Sequence, residues 1–431
     1  MNSNFPCEVF KLINYARDYS SFYKNLYKEL PSSDFAFEDV PIISQDEFWH
    51  ANTPDKLLAL TGPTRDGVVY KSGGTTGSPK YSIFTHEEWQ IFTTIFGQGM
   101  AKNGLLPGDR VGNLFYAGEL YASFLFIYKS IENCGLPIVQ FPLGGSASLE
   151  TFCDCIEQNG MNSLAGVPST FVNLAASSYH FSKLFSKIEK IYFGGEALFD
   201  DQREVIQAAF PNARISSIGY ASVDGGHLGH ADSTCFPGEH RPFKQHSILE
   251  IVDDATGEVI RECGKVGKII YTNLCRLHMP IIRYPVGDQA MWTEYGEKFK
   301  ILGRSEEGAR IGPVTIVPDD IRDGISRFLL KKHNELHLMG TQLLIQRVEA
   351  KDQLTIRLVL AGLDEGKPYT ELCQSVTEFI MQEKPMYQEE VRKGHIQKLE
   401  VEIFPESQVA NLERNARTGK TLAVIDRRFR S

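Results

Sequence analysis

Cysteine is scarce in this chain: there are eight in 431 residues and no C-x-x-C pair. That excludes a disulfide scaffold and the common zinc spacings. Cys235, His240, Cys263, Cys275 and His278 are of zinc-ligand type. Their spacing matches no standard zinc pattern, and buried thiols and ordinary core histidines are the plainer reading. Long hydrophobic runs are missing too. The longest, LYASFLFIY at 120–128, is followed at once by Lys129 and falls short of the roughly 18 residues a membrane span needs, so it reads as a buried helix. Positive charge is not in excess: 45 Lys and Arg against 54 Asp and Glu give a net charge of −9. No nucleic acid or anionic membrane is expected as a partner, and a small molecule is. The N-terminal residues lack a basic start followed by an apolar core, so no secretory signal is read and a cytoplasmic location is expected. There are no internal repeats or low-complexity tracts.

What is present is length for two or three domains. From about residue 105, short β-branched or aromatic runs alternate with helix-like segments: DRVGNLFY, LPIVQFP, NSLAGVP and KIEKIYFGG each precede one. This rhythm predicts an α/β fold with a parallel sheet covered by helices, and places the loops FYAGE, FPLGGS and FGGEA at the carboxyl ends of strands, where ligands gather. From about 243 to 300, SILEIVDD, the turn ATGE and KVGKIIYTN predict an antiparallel, β-rich part. The charged, glycine- and proline-bearing stretch after residue 300 reads as a hinge. Beyond it a helix from about Asp319, a hairpin, a helix within 368–382 and the strand KLEVEIF make a small α+β domain. The expected domains are 1–303 and 304–431.

One loop carries chemistry. SGGTTGSPK at 72–80 lies between two apolar runs. A Walker-type loop reads G-x-x-x-x-G-K-[ST] and enters a helix directly. Starting that register at Gly73 puts Ser78 and Pro79 where glycine and lysine belong, and the strand-like YSIFT follows. The loop therefore joins two strands. The next helix starts at Thr85, an N-cap with Glu88 three residues on. Converging backbone N–H groups, the hydroxyls of Thr75, Thr76 and Ser78, and the charge of Lys80 suit a triphosphate. A Gly-Ser-Thr turn with an incidental lysine is the other reading of the loop alone.

SGGTTGSPK resembles the phosphate loop of the adenylate-forming superfamily, and the resemblance continues in order. FGGEAL at 193–198 is similar to its adenine loop, and GYASVDGG at 219–226 stands where an aromatic-Gly-x-Thr/Ser-Glu motif belongs. RYPVGDQA at 283–290 is similar to the Tyr-Arg-Thr-Gly-Asp motif, GRSEE at 303–307 to the hinge, and RTGKTLAVID at 417–426 to the C-terminal lysine motif. QFPLGGS and the ending TGKTLAVIDRR resemble the phenylacetate-CoA ligase branch; YASVDGG also resembles relatives from phenazine-type antibiotic pathways.

The resemblance implies a two-step reaction. A carboxylate attacks the α-phosphate of ATP, giving acyl-AMP and pyrophosphate, and a thiol, of CoA or of a carrier protein, displaces AMP. It further implies that Ser72, Gly73, Gly74, Thr75, Thr76, Gly77, Ser78 and Lys80 hold the β- and γ-phosphates. Asp224 would hold Mg2+, although the family usually has glutamate preceded by Thr or Ser where this chain has Val223 and Asp224; an Asp-Gly turn is the alternative. Tyr220 would stack on adenine beside Gly194, Gly195, Glu196 and Ala197. Asp288 would accept from the ribose hydroxyls, with Arg304 assisting. Lys420, on a mobile C-terminal domain, would bridge the substrate carboxylate and the α-phosphate. Glu306 is the hinge position, and Pro313 follows Gly312 near where a glycine is common.

Phe115, Tyr116, Phe141, Gly144, Gly145 and Gly194 would shape a pocket for a flat aryl acid, if the aromatics are not simply core. Glu119 would meet a polar substituent there or be a solvated helix-start carboxylate. A two-fold dimer is the commonest assembly. Departures at Val223, Asp224 and Pro313 also admit a non-catalytic nucleotide binder, against which Lys420 argues. An adenylating enzyme with an amine acceptor is a third reading.

Overall fold

A computed structural model describes the chain except residues 1–6, 72–79, 119, 176–177, 196–197, 199, 254–255, 305–308, 312–313, 349–350, 365, 367, 393, 395, 415–418 and 428–431. The chain divides into two compact units. One comprises Met1–Gly166, Lys190–Gly194 and Arg214–Ser305, and the other Val167–Glu189, Gly195–Ala213 and Glu306–Ser431.

The first unit opens with helices α1 (Cys7–Tyr19), α2 (Ser21–Leu26) and α3 (Gln45–His50). Ser20 and Ser44 cap α2 and α3, accepting from the N–H of Tyr23 and Glu47. Val9, Leu12, Ile13 and Ala16 form the buried stripe of α1. Strands β1 (Val68–Lys71) and β2 (Tyr81–Phe84) pair antiparallel on either side of the glycine-rich segment. The segment itself lies outside the described residues. Helix α4 (His86–Lys102) starts as expected: Thr85 Oγ1 accepts from Glu88 N at 3.2 Å and Glu88 Oε2 from Thr85 N at 3.0 Å.

Strands β3 (Arg110–Asn113), β4 (Val139–Phe141), β5 (Ser163–Gly166), β6 (Lys190–Phe193) and β7 (Arg214–Ser217) form the parallel sheet, in the order β4-β3-β5-β6-β7. All four residues of β5 are buried, as a central parallel strand requires. Helices α5 (Ser123–Glu132) and α6 (Leu149–Glu157) belong to this unit. The apolar run at 120–128 enters its helix late. Leu120 has a φ of +66° and its carbonyl accepts from Lys71 N at 2.9 Å, so α5 begins only at Ser123.

An antiparallel sheet follows: β8 (Tyr220–Ser222), β9 (Gly226–His230), β10 (Glu239–Pro242), β11 (Ser247–Val252), β12 (Val266–Asn273), β13 (Tyr284–Glu294) and β14 (Lys298–Arg304), ordered β11-β12-β13-β14-β10-β9-β8 among the described residues. It starts upstream of the change of pattern read after Phe243. Ile251, Ile269, Tyr271, Ile281, Trp292 and Phe299 share one core with the N-terminal helices.

The second unit contains α7 (Pro168–Ala175), α8 (Ser178–Phe185) and α9 (Asp200–Ala209), then the short hairpin β15 (Ala309–Ile311) and β16 (Val314–Ile316), and α10 (Pro318–Lys332). A long hairpin, β17 (His337–Val348) and β18 (Lys351–Ala361), is followed by α11 (Thr370–Glu383), α12 (Pro385–Arg392), β19 (Glu400–Pro405) and β20 (Val424–Asp426). The hairpin is antiparallel, and the outer strands β19 and β20 add to it in parallel. Gln202 Nε2 of α9 donates to Met339 O of β17 at 3.2 Å. Among the described residues no helix is long and apolar enough to cross a membrane.

Candidate active site

Lys80 is the first described residue after the glycine-rich segment. Its Nζ donates to Gln45 Oε1 at 2.9 Å and stands 3.8 Å from Asp224 Oδ2. Asp224 sits in the turn between β8 and β9. Ser222 Oγ accepts from Gly225 N at 2.8 Å, Asn273 Nδ2 donates to Gly225 O at 2.8 Å, and Gly226 has a φ of +99°. A Cβ at Gly226 would come within 2.6 Å of Asn273 Nδ2, so glycine is required there. The Asp-Gly turn and the site are thus the same object: the turn aims the carboxylate at Lys80.

Two buried side chains brace that turn. Tyr284 donates its hydroxyl to Asp224 Oδ2 at 3.1 Å. Burial, then the neighbouring Asp224 carboxylate, push the pKa of this phenol well above its usual value, so it keeps its proton and remains a donor. Arg276, 1 % exposed, donates to the carbonyl of Asp224 and to Ile83 O at 3.2 Å, with its guanidinium 4.1 Å over the ring of Phe84. Glu88 does more than cap α4: its Oε1 accepts from the N–H of Leu277 and of His278, both at 2.7 Å. Gln45, Trp49, Glu88 and Arg276 were not expected at the site. Only Glu88 carries a local signal, the capping box. The others meet it across sequence separations that leave no pattern.

Tyr220 and Asp288 are joined, phenol to carboxylate. Asp288 stands opposite Arg304 in the β13–β14 ladder. The pocket residues gather in part. Gly145 N donates to Phe115 O at 3.1 Å, Gly144 N to Asn113 O at 2.8 Å, and Tyr116 Oη to Gly145 O at 3.1 Å. A Cβ at Gly194 would lie 3.8 Å from Phe115 Cζ. The guanidinium of Arg110 lies 5.4 Å from the ring centre of Phe141.

In the second unit Lys420 lies against Gly195. A Cβ built at Gly195, whose φ is +78°, would be 3.0 Å from Lys420 Cε and 3.2 Å from Nζ. The lysine's loop is bracketed by an Arg414–Thr421 bridge and tied by Arg414 Nη2 to Asn173 Oδ1 at 3.1 Å. Ser72, Gly73, Gly74, Thr75, Thr76, Gly77, Ser78, Glu119, Glu196, Ala197, Glu306 and Pro313 lie outside the described residues.

The five cysteines and histidines weighed for zinc do not converge. His240 Nε2 meets Ser217 Oγ at 2.8 Å, His278 Nε2 meets Thr64 Oγ1 at 3.0 Å, and burial pushes the Cys275 thiol up to about 11. Among the described residues no group of three or more His, Cys, Asp or Glu is placed to hold a metal ion.

The chain matches no family model. Among curated proteins it is similar to the indoleacetate–lysine synthetase of Pseudomonas savastanoi, 27% identical over 349 residues that make up 77% of this chain and 80% of that one. It is also similar to the phenylacetate-coenzyme A ligase of Thermus thermophilus, 25% identical over 328 residues, 72% of each chain. Its fold matches that of a 2-hydroxyisobutyryl-CoA ligase in complex with its acyl-AMP, with a TM-score of 0.74 at 19% identity over 98% of this chain and 88% of that one. An acyl acid amido synthetase, AtGH3.15, gives a TM-score of 0.69 at 15% identity over 97% and 90% of the two chains.

Proposed function

The chain belongs to the adenylate-forming superfamily, in its phenylacetate-CoA ligase-like branch, and from that premise we propose that it activates an aryl carboxylic acid with ATP. The acid's carboxylate oxygen bonds to the α-phosphorus, pyrophosphate leaves, and the acyl group of the resulting adenylate passes to coenzyme A with release of AMP. The observation that carries this reading is that the relatives differ in acceptor. One is named for joining indoleacetate to lysine and another for joining phenylacetate to coenzyme A. The names share an arylacetic acid and a new bond at its carboxyl, so activation of such an acid is the common step.

The residues divide the work by charge. Lys80, with the segment 72–78, neutralises the outer phosphates and steadies the leaving pyrophosphate. Asp288 accepts from the ribose hydroxyls with Arg304 beside it, and Tyr220, fixed to Asp288, presents its ring to the base. Lys420 supplies positive charge where the carboxylate meets the α-phosphate, as a point charge on a flexible stem. Phe115 and Tyr116, with Gly144, Gly145 and Gly194, give the acid a flat apolar wall, and Glu306 is the hinge for a turn of residues 304–431 between the two steps. Mg2+ takes one or two carboxylates together with phosphate oxygens and water. Asp224, a single braced carboxylate beside Lys80, fits that donor set. When bound, the ion would offset charge on the triphosphate.

The test is carboxylate-dependent exchange of pyrophosphate into ATP over a panel of aryl and short acyl acids. Exchange with an aryl acid is expected. Its absence with every acid, while ATP still binds, points instead to a nucleotide binder. A second reading, an amine acceptor, is favoured by the lysine synthetase among the relatives. Incubation of acid and ATP with coenzyme A or with lysine, and the mass of the product, separates thioester from amide.

A further inference from the structure

Lys80 and Asp224 carry opposite charges and face each other, yet Nζ stands 3.8 Å from Oδ2. A charge-assisted hydrogen bond closes to about 2.8 Å. Both side chains are largely shielded, 29% and 14% exposed, so solvent alone does not account for the gap. Both are held from one short helix. Gln45, the first residue of α3, accepts from Lys80 Nζ at 2.9 Å and donates from Nε2 to Pro285 O at 2.7 Å. Because a carbonyl can only accept, the second bond fixes which way the amide faces and keeps Oε1 toward the lysine.

Trp49 stands four residues on, on the same face of α3. Its Nε1 can only donate, and it donates to the Tyr284 hydroxyl at 2.8 Å. The oxygen having accepted there, the phenolic proton is left for Asp224 Oδ2. The Trp49 ring centre also lies 5.8 Å from the Lys80 ammonium, within reach of a cation–π attraction. One helix thus draws the lysine toward its amide and indole, and steadies the aspartate through a tyrosine.

We propose that α3 is part of the triphosphate site, and that Gln45 and Trp49 are positioning residues that keep Lys80 and Asp224 from closing into a direct ion pair, so that phosphate oxygens can enter between them. This rests on the assignment of Lys80 to the triphosphate. Without Gln45 the ammonium swings onto Asp224, and ATP must break that pair before it binds.

The experiment is calorimetric titration of the full chain with ATP in EDTA, comparing wild type, Gln45→Leu, Asp224→Asn and the double variant. Gln45→Leu is expected to weaken ATP binding about 10-fold, the scale of one hydrogen bond to a charged group. In the Asp224→Asn background the same substitution should cost less than about 2-fold, because no anion remains for the lysine to close upon. A purely structural role for Gln45 would cost the same in both backgrounds and overturns the proposal, as does wild-type affinity in Gln45→Leu. If that variant does not fold, Trp49→Phe, which keeps the ring and loses the N–H, makes the same comparison: a several-fold loss that Asp224→Asn suppresses. Failure of ATP to bind the wild-type chain overturns the triphosphate assignment itself, and this proposal with it.

Discussion

The phenol of Tyr220 is hydrogen-bonded to the carboxylate of Asp288, although β14, β10 and β9 separate their strands in the sheet order. Four strand spacings would span about 19 Å in a flat sheet, so the antiparallel sheet curls until its fourth-removed strands meet. The two groups assigned to base and ribose therefore act as a unit. Tyr220→Phe keeps the ring and removes the bond; ATP affinity, measured by direct binding, should fall about 10-fold. Affinity equal to wild type would mean that the ring alone matters.

Gly195, with no side chain, leaves room for Lys420 to lie close against it: a Cβ there would stand 3.0 Å from Lys420 Cε. Lys420→Ala should lower pyrophosphate exchange by at least about 100-fold, the scale of one lost transition-state donor. Gly195→Ala meets both the left-handed φ and the lysine's Cε and Nζ, and should depress exchange by about 10-fold or more with Lys420 still present. If exchange is unaffected in Gly195→Ala, the lysine's approach to this backbone has no part in the step.

Tyr116 covers Gly145 closely. A Cβ there would come within 2.2 Å of Tyr116 Cε2 and 2.8 Å of Leu114 O, so Gly145→Ala must displace the tyrosine ring. Exchange assayed over the acid panel should show a higher KM for the preferred aryl acid and a smaller change for short acyl acids. A uniform change across the panel would detach this wall from acid selection.

Two histidines set an acid limit on stability. Burial lowers the pKa of His227 to about 3 and that of His240 to about 4. In the unfolded chain each has a pKa near 6.5. Below pH 6.5 the unfolded state therefore takes up protons that the folded state refuses, so the contribution is intact above that pH and declines as pH falls toward the folded values. At pH 5 the loss is about 2 kcal/mol per histidine. Urea unfolding between pH 7.5 and 5 should show that slope, and His227→Phe should reduce it. An unchanged slope would place His227 outside the effect.

Much of this was legible from short-range pattern. The capping box of Thr85 and Glu88, the alternation that builds the parallel sheet, the β17–β18 hairpin and the failure of the Walker register are all written within windows of about twenty residues. The braces of the site are not. Gln45 and Trp49 meet Lys80 and Tyr284 across 35 and 235 positions, and nothing in a glutamine or tryptophan on a six-residue helix announces which distant charge it will hold. Arg276 reads as one basic residue in a short RLH stretch until the fold buries it under the Asp224 turn. Such side chains answer to the packing of separate elements, and that packing leaves no period in the chain.

Strand β20 is three residues long, and it begins four residues after Lys420. Leu343, Leu344 and Ile345 of β17 lie opposite Val424, Ile425 and Asp426. The lysine is thus held between this ladder and the tie from Arg414 to Asn173, so its position is a mechanical property of the last strand. A protease cut after Ala423, or a proline replacing Ile425, would break this ladder and release the lysine's loop; on the role proposed for Lys420, pyrophosphate exchange should then fall. Damage to three residues of the last strand would thus act at a distance of four positions on Lys420.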